Sequence, residues 1–187
     1  MSLGESFDEV IAAARLGADW AVAVIYRDLH PRLVRFFRSQ ESREADDLVG
    51  EVWLAVAQGL ALFDGDEAGL RAWVFTIARR RLVDHRRRAA FRRTDAVDTV
   101  ALAERPGADD AERDALATLV SADVLRRVGE VLSPEQAEVV LLRIVADLDV
   151  DSVARIVRKR PGAVRRSSGW PRFSRPSRNT GCRQGDL

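Results

Sequence analysis

Arginine is concentrated in one stretch of this chain. Arg71, Arg79, Arg80, Arg81, Arg86, Arg87, Arg88, Arg92 and Arg93 fall between Leu70 and Arg93, with Trp73, Phe75 and His85 among them and a lone Asp84 against them. Guanidinium groups carry a fixed charge and a planar fork of donors that fits phosphate oxygens, and aromatic rings stack on unpaired bases. The chemistry is therefore binding, with nucleic acid as the partner that uses both residue types at once. The blander alternative is an Arg-rich solvated helix in a chain encoded by GC-rich DNA. An ordinary exposed helix mixes charge signs, and this one hardly does.

Little else in the chain offers reactive chemistry. There is no Gly-rich phosphate loop and no metal-ligand spacing. The two histidines, His30 and His85, lie far apart, and the only cysteine, Cys182, is near the end of the chain. The expectation is no catalytic residue, no metal and no cofactor.

The arginines need a rigid rod to carry them. Leu70, Trp73, Val74, Ile77, Ala78, Leu82 and Val83 recur at helical i, i+3, i+4 spacing, uninterrupted by Pro or Gly, so one stripe faces a core and the arginines take the other faces. Upstream, Phe7, Val10, Ile11 and Ala14 predict a short helix ending at Gly17. Trp20, Val24, Ile25, Leu29, Leu33, Val34 and Phe37 predict a second, kinked or split near His30 by Pro31. A third runs from Arg43 to Leu62 behind Ser42 as N-cap, with Leu48, Val49, Val52, Trp53, Val56 and Leu60 inward and Glu44, Asp46, Asp47 and Glu51 outward. Acids this early in a helix also suit its dipole. Phe63-Asp64-Gly65-Asp66 reads as a turn.

The net charge of +1 over 187 residues conceals a sharp asymmetry. After the basic helix come Asp95, Asp98, Glu104, Asp109, Asp110, Glu112 and Asp114 against Arg105 and Arg113, and from Arg158 the chain is basic again. Periodicity fails between Thr94 and Asp110, where Arg105-Pro106-Gly107 marks a linker. Helical spacing returns with Leu116, Leu119, Val120, Val124, Leu125 and Val128. Ser133-Pro134-Glu135-Gln136 is a helix start with a candidate capping box. A short helix through Val150, Val153, Ile156 and Val157, then a basic one starting at Pro161, make a helix-turn-helix pattern.

No stretch alternates with a period of two. The predicted fold is all-α, with two helical domains joined by an acidic flexible linker and a helix-turn-helix in the second. The expected limits are 1–93, a linker at 94–110, 111–168, and an irregular tail at 169–187. No run of about 18 apolar residues is present, so no membrane insertion is expected. The N-terminus has no secretory pattern, and the cytoplasm is the expected location.

Four segments in order give the chain a resemblance to the extracytoplasmic-function sigma factors of bacterial RNA polymerase, over roughly residues 5–165. They are Ala45-Asp46-Asp47-Leu48-Val49-Gly50-Glu51-Val52-Trp53, then Phe63-Asp64-Gly65, then Leu70 to Arg80, and last Leu132 to Arg143 followed by Pro161 to Arg166. The resemblance implies that Asp46, Asp47, Leu48, Gly50 and Glu51 dock core RNA polymerase. It implies that Phe63, Asp64, Arg71, Trp73, Arg79, Arg80, Arg86 and Arg87 meet the −10 element of promoter DNA. Arg158, Lys159, Arg160, Gly162, Ala163, Arg165 and Arg166 would meet the −35 element. It also implies an anti-sigma protein as partner and no catalytic role, since the polymerase performs the chemistry. Trp73 equally suits a core position, and Asp47 and Glu51 a solvated face.

Two departures stand out. Gly50 replaces the glutamine usual in the family, and a mid-helix glycine weakens the helix by about 1 kcal/mol. Beyond Arg166 the chain turns to Ser, Gly, Trp and Pro, and Gly169 and Pro171 interrupt the recognition helix. A frameshift near codon 166 or a genuine disordered basic tail both account for this composition. Two other functions stay open at this point: a helix-turn-helix regulator that works without polymerase, and a degenerate sigma factor with a truncated −35-recognition helix.

Overall fold

The computed structural model describes residues 3–41, 43–95 and 132–167, and every regular element among them is helical. Helix α1, Phe7–Arg15, buries Phe7, Val10, Ile11 and Ala14 and closes where Gly17 takes φ 81°. That left-handed turn is readily available to glycine.

Helix α2, Asp19–Arg38, is continuous through Pro31, so the expected split does not occur. Proline removes one N–H from the ladder. Burial of Ile25 and Leu29 before it, and of Leu33, Phe36 and Phe37 after it, keeps both halves packed. Helix α3 is shorter than expected, Ala45–Gly59, and passes into a 3₁₀ turn, Leu60–Leu62. The proposed cap, Ser42, lies outside the described residues, and Glu44 precedes the first turn without a side-chain cap.

Helix α4, Glu67–Asp95, carries the arginines. It begins before the apolar stripe because the Asp66 carboxylate accepts the Gly69 N–H at 2.7 Å, satisfying one of the free donors of the first turn. Leu70, Val74, Phe75, Ala78 and Leu82 are buried on its inner side, where α4 packs on α2 and α3. Phe75, expected among the aromatics offered to bases, is fully buried and meets Phe36 edge to face at 5.6 Å and 89°.

Three further helices follow: α5, Pro134–Ile144; α6, Val150–Val157; and α7, Pro161–Ser167. The capping box at α5 is formed in both directions: Gln136 N–H donates to Ser133 Oγ at 3.3 Å and Ser133 N–H donates to Gln136 Oε1 at 3.1 Å. Asp149 caps α6, accepting the Ser152 N–H at 2.6 Å. Val139, Leu141, Leu142, Leu148, Val153, Val157 and Val164 form the apolar centre of this unit. Helix α6 packs on α4, so the two helical units share a seam. The acidic linker beyond Asp95, the helix expected after Ala111 and the tail after Ser167 lie outside the described residues.

Candidate nucleic-acid interface

The arginines of α4 divide by what they touch. Arg80, Arg87, Arg88 and Arg92 are exposed. Arg80 has Asp84 at 4.0 Å, and Arg88 Nε donates to the Asp84 carbonyl at 3.3 Å along its own helix. Arg86 is committed elsewhere. Its Nε donates to Glu41 Oε1 and its Nη2 to Gln40 Oε1, both at 2.8 Å, which ties α4 to the end of α2. Arg81 lies 3.6 Å from Glu51 of α3. Arg71 pairs with Glu67 at 3.0 Å and Asp147 at 3.5 Å, and Arg79 with Glu138 at 2.9 Å. The basic appearance of this helix in sequence is thus partly balanced by acids from other elements.

Phe63 and Trp73 do not stand free beside the helix. Phe63 is buried, and its ring lies 5.4 Å from that of Trp73 at 33°. Trp73 itself is half-buried and packs against the core. Asp64 is almost fully exposed and pairs with Arg15 at 3.1 Å, while Arg15 also donates to the Phe63 carbonyl. The loop is therefore clamped from the end of α1. Beside it a cleft of about 450 Å³ opens between α4 and α6, lined by Phe63, Trp73 and Thr76 on one side and Ser152, Arg155 and Ile156 on the other.

On α3, Asp46, Asp47 and Gly50 are exposed, and a Cβ at Gly50 would meet nothing within 4 Å. Leu48, expected on the docking surface, is 2% exposed and belongs to the core, because it falls on the inward stripe with Val49 and Val52. Glu51 is half-buried, opposite Arg81. The apolar residue on the open face is Leu54, one turn beyond Gly50 and 62% exposed. Nearby, the Trp53 indole N–H donates to His30 Nδ1 at 3.3 Å, and the His30 ring stacks on Tyr26 at 4.5 Å. Burial holds the His30 pKa below 6.5; Asp46 pulls it upward and Arg38 adds to the lowering.

The second basic group gathers around α7. Arg158 occupies the left-handed region at φ 54°, where Lys159 N–H donates to the Ala154 carbonyl at 2.9 Å and ends α6. Arg158, Lys159, Arg160, Gly162, Arg165 and Arg166 are exposed and Ala163 is half-buried. Buried Val164 anchors the helix to its unit. Lys159 pairs with Glu135, which lowers the carboxyl pKa of that residue through their hydrogen bond and charge.

Sequence reasoning passed over Arg15, Leu54, Glu138 and Asp147. Leu54 is apolar at a position off the inward stripe, and Glu138 is an acid set within an apolar one; both signals were present. Arg15 and Asp147 act through long-range contacts that spacing does not reveal. Glu41, Glu44 and His85 bring ligand-type atoms within 4.8 Å of one another, but Glu41 is held by Arg86, and Glu44 lies 3.9 Å from His85. The Glu41–Arg86 ion pair already occupies one of the three groups.

Residues 25–92 match the family Sigma-70 region 2. The chain is similar to the ECF RNA polymerase sigma factor SigD of Mycobacterium tuberculosis, 29% identical over 168 residues that cover 87% of this chain and 78% of SigD. It is 30% identical to the ECF RNA polymerase sigma factor ShbA of Streptomyces griseus subsp. griseus over 148 residues, 73% of this chain and 76% of ShbA. In fold it is similar to the sigma factor RpoE of Bartonella quintana, crystallised in complex with the anti-sigma factor NepR. That likeness has a TM-score of 0.57 at 22% identity, over 78% of this chain and 89% of RpoE.

Proposed function

This chain belongs to the extracytoplasmic-function RNA polymerase sigma factors, and from that premise we propose which of its surfaces perform transcription initiation. The N-terminal unit, residues 1–93, binds core RNA polymerase through the open face of α3, where Asp46, Asp47 and Gly50 are joined by Leu54. Leu48 supports that face from inside. Helix α4 tracks the −10 element, and its exposed Arg80, Arg87, Arg88 and Arg92 are the charges for the phosphate backbone. Phe63 and Trp73 form the wall of the adjoining cleft rather than a free stacking platform.

The C-terminal unit reads the −35 element as a helix-turn-helix. Helix α7 is the reader, and Arg158, Arg160, Arg165 and Arg166 meet phosphates or guanine edges. This unit is taken as 111–168 and the linker as 94–110; α5 to α7 are the part of the unit that the structure describes, and α4 runs to Asp95, just past the expected limit of the first unit. The protein acts without catalytic residues of its own, because the polymerase forms the bonds. None of the described helices is long and apolar enough to cross a membrane, and its work on the chromosome sets it in the cytoplasm. An anti-sigma protein is a proposed partner, by analogy with the RpoE–NepR complex. A polymerase-independent regulator is not favoured, since residues 25–92 match a polymerase sigma region.

The observation that carries this reading is the pairing of an acidic, partly apolar face on α3 with outward arginines on α4 in one rigid helical unit. The experiment is reconstituted run-off transcription with core RNA polymerase on the promoter of the protein's own gene. Initiation that requires this chain supports the reading. Absence of both initiation and binding to core overturns it.

A further inference from the structure

The loop between α3 and α4 is held on its two sides by different means. The inner side is held locally. An ideal Cβ at Gly65 would lie 3.0 Å from Phe63 Cζ, and one at Gly69 would lie 3.8 Å from the same atom, so the Phe63 ring is folded beneath the turn. The ring rests beside Trp73 at 5.4 Å, and Asp66 is engaged with the Gly69 N–H. The outer side is held from α1. The Asp64 side chain is 99% exposed, and Arg15 reaches it across 49 residues of sequence. Arg15 Nη2 donates to the Phe63 carbonyl and also to Asp64 Oδ1, the latter at 3.1 Å. One nitrogen thus holds a backbone carbonyl and the side chain of the next residue, which fixes the rotation of the peptide between them. Arg15 itself stands on a rigid support. It is the last residue of α1, whose Phe7, Val10, Ile11 and Ala14 are buried, and α1 packs on the 3₁₀ turn that leads into the loop.

An ion pair to a fully exposed acid adds little to stability. Its place in the fold gives it another use. Phe63 and Asp64 line the cleft beside α4, where an unpaired base of the −10 element would meet the Phe63 and Trp73 rings. A loop without a fixed shape would have to be ordered by the base as it enters, at a cost to affinity. An unpaired Asp64 carboxylate would also repel the phosphates of the incoming strand. From this geometry we infer that Arg15 is a positioning residue for promoter opening. It sets the Phe63–Asp64 peptide so that one wall of the cleft is formed before the strand arrives, and it thereby governs which base the cleft keeps. It acts through the loop, from a helix that lies outside the basic one. The inference rests on the reading of α4 and its cleft as the face for the −10 element.

The test uses the full chain bound to core RNA polymerase, with Arg15→Ala and Arg15→Lys. Arg27→Ala is the control. It removes the same charge from an exposed position on α2, where Arg27 bonds only along its own helix, to the Ala23 carbonyl. The probe is the fluorescein-labelled non-template strand from the promoter of the protein's own gene, read by anisotropy. A scan of single-base changes first finds the position that the unaltered protein discriminates most strongly. The discrimination ratio there is then measured for each variant, together with affinity for core polymerase. Arg15→Ala is expected to lower the ratio about fivefold or more relative to Arg27→Ala and to leave core binding unchanged. Arg15→Lys keeps the charge without the planar fork, so it should recover affinity for the strand but not the ratio. A ratio in Arg15→Ala equal to that of the control overturns the inference, whatever happens to overall affinity. A full ratio in Arg15→Lys overturns it as well, because charge alone would then suffice. If Arg15→Ala fails to fold, Arg15→Lys carries the test. Absence of any discrimination by the unaltered protein overturns the reading of the cleft itself, and the inference with it.

Discussion

The indole of Trp73 fills the space in which a side chain on Gly59 would begin: an ideal Cβ at Gly59 would lie 2.8 Å from Trp73 Cζ2. The last turn of α3 can approach α4 this closely because it has no β-carbon there. Replacing a helical glycine by alanine ordinarily gains about 1 kcal/mol of helix propensity. Here the overpacking term, about 1–3 kcal/mol, opposes it. Gly59→Ala is expected to lower stability by about 1 kcal/mol in urea unfolding. Adding Trp73→Leu should cost less than the two separate effects summed, because the clash is removed with the ring.

Leu48 and Asp47 are neighbours in sequence with opposite duties. Leu48→Ala should cost about 2–5 kcal/mol of stability, as expected for a truncated core leucine. Asp47→Ala should change stability by less than about 0.5 kcal/mol and weaken binding to core RNA polymerase. Thermal unfolding and a core-binding assay on the same two variants separate the effects.

Arg86 and Arg87 form a similar pair. Arg86→Ala frees Gln40 and Glu41 and should lower the melting temperature. Arg87→Ala should leave melting nearly unchanged. It should weaken DNA binding in every sequence context and reduce the salt dependence by about one phosphate contact. Anisotropy titrations at several salt concentrations give the slope.

Stability should fall as the solution is acidified through the range of His30. Its folded pKa lies below the 6.5 of the free side chain, so the unfolded chain takes up the proton first. The contribution is fully present above pH 6.5 and declines as pH falls through the folded value. The Trp53 bond explains part of the local cost, since protonated His30 has no lone pair at Nδ1 to accept it. Urea midpoints measured from about pH 7.5 to about pH 5.5 should slope downward for the native chain. They should flatten for His30→Gln.

Arg158 ends α6 in a conformation that glycine adopts at less cost. Arg158→Gly should raise stability by about 0.5–1 kcal/mol. It should also weaken binding to a duplex carrying the −35 element. A gain in melting temperature together with a loss of affinity would mark this arginine as kept for its charge.

The helices were legible because their signals are local. The stripe of α4, the glycine after α1 and the Ser133 box each act within a turn or two of the chain. Pro31 does not split α2, because its lost hydrogen bond is outweighed by burial against α1, α3 and α4. Phe75 misled because it sits beside, not on, the counted stripe, and α2 supplies Phe36 to cover it. The site was legible in its residue types and less so in their availability. Spacing shows that Arg71, Arg79 and Arg86 lie on one helix. It does not show that Asp147, Glu138 and Glu41 arrive from distant segments to hold them.

Arg15 belongs to α1, and the loop it holds lies 48 residues further along. The matched family region begins at residue 25, beyond α1, yet Phe7, Val10, Ile11 and Ala14 of α1 are part of the core that supports it. An excised piece that starts at the edge of recognisable similarity would keep every residue of the Phe63–Asp64 loop and lose the arm that gives it shape. The unit that inherits together and the unit that folds together do not coincide in this chain.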